Sequence, residues 1–334
     1  LVAATTSIQQ GFDQASKHVS DRPPTVSVLL PVYNGGSYFT TAVESVLDQT
    51  FADFECLILD DGSTDATAKI ADELARRDSR IRVIHSRNRG LVASLNTLIA
   101  AARGEFIARM DADDVCMPAR FERQVEFLRR HPEMVCVGSS YWMIDEAGRT
   151  ITRILPPLED AAIQDQTLRG HSTISHPSAM LRCSVLRRLD GYRAEYFPAE
   201  DLDLWLRLGE IGKLANLSQP LIRYRVHSTS ISALAAQGRQ REAARRACID
   251  AWARRGLADR QFEAVNGWRH DGSTASRMRF ALQYGWMAYG AGFRQTAMVY
   301  GLKAIRAVPT KQDGWRLLAV ALLRPPRKAE TSAG

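Results

Sequence analysis

The chain has 334 residues and a mass of 37.2 kDa, too long for one ordinary domain, with 45% apolar and 24% charged residues, 22 Gly and 13 Pro. That composition excludes a collagenous, low-complexity or wholly disordered protein and predicts one large domain plus an appendage. The net charge of +7 is unevenly placed: from Ile231 onward eighteen Lys and Arg face seven Asp and Glu, whereas the first 230 residues carry twenty-six against thirty. Four of the six tryptophans, Trp252, Trp268, Trp286 and Trp315, fall in the basic third.

Residues 1–24 are polar, end in Pro23-Pro24 and lack the basic head and long apolar stretch of a signal peptide, so they read as a loose extension. From Val26 to Met110 short apolar runs alternate with amphipathic stretches. Strands are predicted at Val26–Leu30, Phe54–Leu59, Ile81–Ile84 and Phe106–Met110, and helices at Tyr38–Leu47, Asp65–Arg76 and Leu91–Ala102. Strand–helix alternation at this period implies a parallel sheet covered on both faces, with ligands collected at the carboxyl ends of its strands. A helix at Arg120–Arg130 leads to an apolar run, Met134–Ile144. A looser region follows, then an acidic helix at Glu200–Leu208 and a strand pair at Lys213–Leu217 and Leu221–Val226. Ala/Arg-rich helices are predicted at 234–257, 275–289, 292–306 and 311–323. No run reaches the length of a membrane-spanning helix. Five scattered cysteines without a C-x-x-C pair fit buried thiols in a reducing cytoplasm rather than a disulfide framework.

Two strand exits carry unusual charge. Asp111-Ala-Asp113-Asp114 sets three carboxylates within four residues; they repel one another unless a cation neutralises them, and Mg²⁺ or Mn²⁺ suits such oxygen donors. Read alone, the same residues also fit a solvated acidic turn with Asp114 as a helix cap. The second exit is Asp60-Asp61-Gly-Ser-Thr-Asp65, where Thr64 or Asp65 suits a helix cap.

Together with the first strand, Val26-Ser-Val-Leu-Leu-Pro-Val-Tyr-Asn34, these clusters resemble the family 2 inverting nucleotide-sugar glycosyltransferases. The resemblance runs from Thr25 to Ser232 and includes Ser45-Val-Leu-Asp-Gln-Thr50, Asn88-Arg-Gly-Leu, Met117-Pro-Ala-Arg120, His176-Pro-Ser, Glu200-Asp-Leu-Asp-Leu-Trp205 and Tyr224-Arg-Val-His227. It implies an α/β GT-A fold, a Rossmann-like, mixed and mainly parallel sheet flanked by helices, with a C-terminal helical extension. The expected division is a catalytic domain at 25–232, with a nucleotide-sugar half 25–115 and an acceptor half 116–232, followed by a basic helical region at 233–334.

The resemblance also implies roles. Pro31, Tyr33 and Asn34 frame the nucleotide, Asp61 meets the uracil ring, and Arg87, with Arg89 beside it, offers a cation after the third strand. Asp111 and Asp113 form the D-x-D pair that holds metal and diphosphate, with His227 approaching the same metal. Asp201 is the general base; Glu200 and His176 lie on the acceptor side, His176 chiefly through packing. A carboxylate opposite the leaving group is what inversion requires, and both acids open a helix whose dipole favours their ionised forms. Processive relatives carry Q-x-x-R-W and several membrane spans; this chain has neither, so transfer of one sugar or a few is expected. A sugar nucleotidyltransferase and a non-catalytic carbohydrate-binding protein on the same fold are the alternatives. The partners expected are a nucleotide-sugar donor, a glycan or lipid-linked saccharide acceptor, and no nucleic acid. The basic third fits either an anionic membrane surface or helices packed on the catalytic domain with a solvated Arg face.

Overall fold

The computed structural model describes residues 22–227, 237–257, 259–264 and 273–324; the remainder of the predicted N-terminal extension and Trp268 lie outside the described residues. Within them the chain forms β1 (Val26–Val32), α1 (Phe39–Leu47), β2 (Phe54–Asp60), α2 (Thr67–Arg77), β3 (Ile81–His85), α3 (Leu91–Ala101) and β4 (Phe106–Arg109). The next elements are β5 (Val115–Cys116), α4 (Arg120–Arg130), β6 (Met134–Asp145), β7 (Thr150–Ile154), α5 (Asp160–Leu168), β8 (Met180–Arg182), α6 (Cys183–Arg188), α7 (Glu200–Leu208) and β9 (Lys213–Val226). Four helices follow: α8 (Gln237–Arg255), α9 (Thr274–Gly290), α10 (Arg294–Ala307) and α11 (Gln312–Leu323).

One nine-stranded sheet runs in the order β3-β2-β1-β4-β8-β6-β9-β5, with β7 paired to β6. The longer pairs, β1 with β2 and β4, β2 with β3, and β6 with β9, are parallel. β8 is inserted antiparallel between β4 and β6. Alternation explains the layers. Val26, Val28, Leu30, Cys56 and Ile58 meet α1, α2 and α4 on one face, while Leu29, Leu57 and Leu59 meet α3 and α7 on the other. The chain steps outward from β1 to β2 and β3, then returns to pair β4 on the other side of β1. That reversal leaves a crevice beyond the carboxyl ends of β1 and β4, the place where such sheets bind ligands.

Two expectations change. The predicted strand pair at 213–226 is a single strand, because β9 follows β6 in parallel over its whole length. The turn-like Ser218-Gln-Pro220 is absorbed by register shifts around Ser139–Tyr141, where Ser140 Oγ donates to Ser218 O at 2.6 Å. The region that read as loose contains β7, α5, β8 and α6, elements of three to nine residues that leave little periodicity to read. The C-terminal helices form as expected, α8 against α7 and α9–α11 against Met143, Ile151 and Val226 of the sheet. All five cysteines are buried and free.

Arg120 is wholly buried beneath the crevice, with no carboxylate partner among the described residues. Its guanidinium donates to Arg109 O (2.9 Å), Ala179 O (3.2 Å) and Gln124 Oε1 (3.0 Å), so it ties the end of β4 to the entry of β8. Arg120→Met strands those acceptors and is expected to cost about 2–4 kcal/mol in denaturant unfolding; wild-type stability in the variant would show that the guanidinium supports nothing.

Candidate active site

The turn chemistry after β1 and β2 builds the first wall of the crevice. Asn34 sits at positive φ, and its Oδ1 accepts from Thr64 N at 2.8 Å, while Gly35 N donates to Thr67 Oγ1 at 2.9 Å. The two loops are thereby stapled together, and the Asn34 side chain is engaged in that staple. Asp65 Oδ1 accepts from Thr67 N (2.9 Å) in a local turn, but the N-cap of α2 is Ala66 rather than Thr64 or Asp65. Pro31 is buried in β1; Tyr33 is exposed at the rim. Asp61 is buried, and its two oxygens accept the backbone N–H groups of Arg89 and Gly90, both at 2.8 Å. A carboxylate has acceptor capacity beyond two such bonds, so Asp61 orders the start of α3 and keeps room for another donor. Gly62 must be glycine: its φ is +74°, and a Cβ there would lie 2.7 Å from Asn88 N. Arg87 and Arg89 are exposed on that adjoining loop.

The second wall is acidic. Carboxylate oxygens of Asp111, Asp113 and Asp114 lie within 4.8 Å of one another at the exit of β4. Asp113 Oδ2 is 2.7 Å from His227 Nε2, which the end of β9 delivers. Asp114 is buried; its Oδ1 accepts from Arg225 N at 2.7 Å and its Oδ2 has no hydrogen-bond partner among the described residues. Arg225 also donates from Nε to Asp113 O (2.8 Å) and lies over the Tyr38 ring, which in turn contacts the His227 ring. Burial, then the charges of Asp113 and Asp111, push Asp114 well above the usual carboxylate range. The helix-cap alternative for Asp114 fails, since α4 begins at Arg120.

Asp201 and Glu200 face this cluster from the first turn of α7. Asp201 Oδ1 accepts Leu202 N (2.7 Å) and Oδ2 accepts the Ser172 hydroxyl (2.9 Å). Burial raises the Asp201 pKa, and burial together with Asp201 pushes Glu200 up to about 7. The helix dipole was expected to hold both acids ionised; desolvation outweighs it here, because Glu200 is buried and its Oε2 has no hydrogen-bond partner among the described residues. Asp203, on the other side of α7, is a buried ion-pair partner of Arg193 and Arg207. His176 donates to or accepts from the Tyr192 hydroxyl at 2.7 Å and packs edge-on to Trp205; burial drives its pKa well below the ordinary value. It is a neutral packing histidine.

Arg109 joins the two acidic groups. It is almost fully buried, is ion-paired to Asp111, and its Nε has no hydrogen-bond partner among the described residues. Its charge acts on Asp111, Asp114, Glu200 and Asp201 alike, and the charge of Asp201 reaches Asp111. An arginine in a four-residue strand of otherwise apolar residues, two positions before the acidic run, was the signal in the sequence for this role; Ser172 had none. Beside Ser172 opens a cleft of about 580 Å³, walled by Tyr141, Pro156, Pro157, Gln166 and His171.

The donor set fits a hard divalent cation. Three carboxylates with oxygens in mutual reach, one of them buried with an oxygen lacking a partner among the described residues, suit Mg²⁺ or Mn²⁺, and the His227 imidazole adjoins them through Asp113.

A model of glycosyl transferase family 2 matches residues 27–190. A putative glycosyltransferase of Bacillus subtilis, EpsE, is 38% identical over 210 residues, covering 61% of this chain and 74% of that protein. The chain belongs to glycosyltransferase family 2. The O-antigen biosynthesis glycosyltransferase WbnJ of Escherichia coli is 32% identical over 216 residues, covering 63% of this chain and 84% of that protein. Among solved structures, Staphylococcus aureus TarS in complex with UDP-GlcNAc superposes with a TM-score of 0.56 at 18% identity, over 87% of this chain and 91% of that one. A Pyrobaculum calidifontis mannosyltransferase, in complex with GDP-Man and Mn²⁺, gives 0.51 at 16% identity, over 96% and 87%. These likenesses show the GT-A fold, and the family sets aside the nucleotidyltransferase and non-catalytic alternatives.

The raised Glu200 pKa has a consequence for stability in this glycosyltransferase. Folding takes up a proton between the ordinary 4.5 and about 7, so Glu200 lowers stability progressively as pH rises through that window. Glu200→Gln removes the charge. In chelator-treated protein the variant should gain up to roughly 3 kcal/mol over wild type above pH 7 and little at pH 4. A pH-independent difference in denaturant titrations would show that Glu200 is not the group perturbed.

Proposed function

We propose that this glycosyltransferase moves a single sugar, with inversion, from a nucleoside diphosphate sugar to a hydroxyl of a glycan or lipid-linked saccharide. The observation that carries this reading is the Asp201 carboxylate, held by Ser172, itself a wall residue of an open cleft, and close enough to Asp111 for each charge to act on the other. The donor would lie in the crevice between β1 and β4, with its nucleoside among Pro31, Tyr33 and Asp61 and within reach of Arg87. A uridine donor is the first expectation; the GDP-Man and UDP-GlcNAc held by the two structural neighbours make the base a matter for a donor screen.

Asp111, Asp113, Asp114 and His227 would hold the divalent cation. That ion supplies Lewis-acid neutralisation of the departing diphosphate. The protein's own part is positioning and proton transfer. Ser172 and the Leu202 amide fix the Asp201 oxygens, and the cleft brings an acceptor hydroxyl to them. As that oxygen attacks the anomeric carbon its proton passes to Asp201, whose raised pKa makes it a better acceptor than an ordinary aspartate. Glu200 on the acceptor side carries a proton part of the time at neutral pH. It thereby spares Asp201 a second full negative charge.

Asp201→Asn should lower transfer about 10²–10⁴-fold while donor binding, read as protection against thermal unfolding, stays within a few-fold; substantial residual transfer removes Asp201 as base. Asp113→Ala should abolish the Mn²⁺-dependent part of donor protection, and unchanged metal dependence would sink that ligand. The anomeric configuration of the product, read by NMR, decides inversion: retention of the donor's configuration contradicts the mechanism.

A further inference from the structure

The basic C-terminal third separates into two parts with different chemistry. In α8 most of the cations are engaged: Arg254 and Arg255 pair with Glu210, Arg245 with Glu242, Arg246 with Glu195 O and Arg241 with Ala264 O. Trp252 is partly buried against α7 and donates to Leu168 O at 3.0 Å. This part is a helix packed on the catalytic sheet's flank with a solvated Arg face. Residues 273–324 differ, with eight Lys and Arg against one Asp.

Here α9, α10 and α11 form a unit closed by small residues on its inside. A Cβ on Gly301 would lie 3.1 Å from Leu318 Cα, and one on Gly314 would lie 2.9 Å from Ile305 N. The inner face of α11 is Gly314, Leu317 and Ala321. Its outer face is apolar as well. Trp315 (54% exposed), Ala319, Leu322 (45%) and Leu323 (81%) recur at helical spacing in a stripe about 100° wide. After Asp313, Arg316 is the sole charged residue up to Leu323, and exposed Lys311, Arg316 and Arg324 flank the stripe. The Trp315 indole N–H is already satisfied by Pro309 O at 3.0 Å, so covering the ring orphans no donor. A helix apolar on both sides needs a second covering surface.

We propose that the outer face of α11 docks on an anionic lipid bilayer. Charge selects this occupant. A second copy would bring together two helical units that each carry net +7 over residues 273–324, whereas an anionic bilayer attracts Lys and Arg and accepts Trp and Leu at its interface. Among the described residues no helix is long and apolar enough to cross a membrane, so the contact lies in the interface plane. The unit is tied to the sheet through Ile151 and Val226 and through Lys303 to Glu146 (2.8 Å). Val226 precedes His227, so docking would hold the acidic crevice at a set disposition to the surface.

The test is co-sedimentation of the full chain with phosphatidylcholine vesicles and with vesicles of phosphatidylglycerol and phosphatidylcholine. The protein should bind the anionic vesicles at low ionic strength, be released by high salt and ignore the neutral ones. Trp315→Ser with Leu322→Ser should weaken partitioning about ten-fold or more at unchanged melting temperature. Lys311→Glu and Arg316→Glu should each weaken it at least about five-fold. Absence of binding to anionic vesicles at low salt, equal binding to neutral vesicles, or wild-type binding by the serine variant overturns the proposal. A dimer in light scattering that the serine variant dissolves also overturns it, by assigning the face to a second copy.

Discussion

Five carboxylates converge on one crevice, and the structure around it depends on how their mutual repulsion is contained. Asp111, Asp113 and Asp114 leave β4 together, and Glu200 and Asp201 open α7 opposite them. Uncompensated, such a group would cost far more than the few kcal/mol by which a domain is stable. Arg109 provides a buried internal cation, Arg225 and His227 reach in from β9, and protonation of Glu200 near pH 7 removes part of one charge. What repulsion is left favours binding a divalent cation.

The long strands β6 and β9 serve that arrangement. They run in parallel over twelve residues of β6, carry Arg225 and His227 to the D-x-D turn, and present Tyr141 to the cleft beside Ser172. Short β8, inserted antiparallel between β4 and β6, places the His176–Ser178 turn under α7, and Arg120 locks β8 to β4 from below. The D-x-D turn and the cleft beside Ser172 are thus carried by two parts of a single sheet, and the relation between them is set by main-chain pairing.

How much of this could be read in advance varied by element. β1 to β4 and α1 to α3 were legible because β1, β2 and β4 are buried on both faces, β3 keeps the short apolar run Ile81, Val83 and Ile84, and the helices between them carry recurring apolar residues. The D-x-D run and Glu200-Asp201 stood out as charge at element ends. β7, α5, β8 and α6 were not legible: they are only three to nine residues long, and β8 pairs with β4 more than seventy positions away, so local periodicity is faint. The turn-like Ser218–Pro220 misled for the same reason, since pairing with β6 overrode a local preference.

The sequence by itself determined the fold family, the acidic residues and the charge division between the first two-thirds and the last, because these rest on residue identity and short-range pattern. Tertiary structure decided the rest. It brought Asp201 to Asp111 across ninety positions, gave Arg109 its central place and exposed Ser172 as the residue that holds Asp201. It also divided the basic third, engaging Arg245, Arg254 and Arg255 of α8 in ion pairs and leaving α11 with an apolar outer stripe. Burial and long-range contact set these properties, and both belong to the packed chain: desolvation can reverse what a helix dipole favours at Glu200 only once neighbouring elements have excluded water from it.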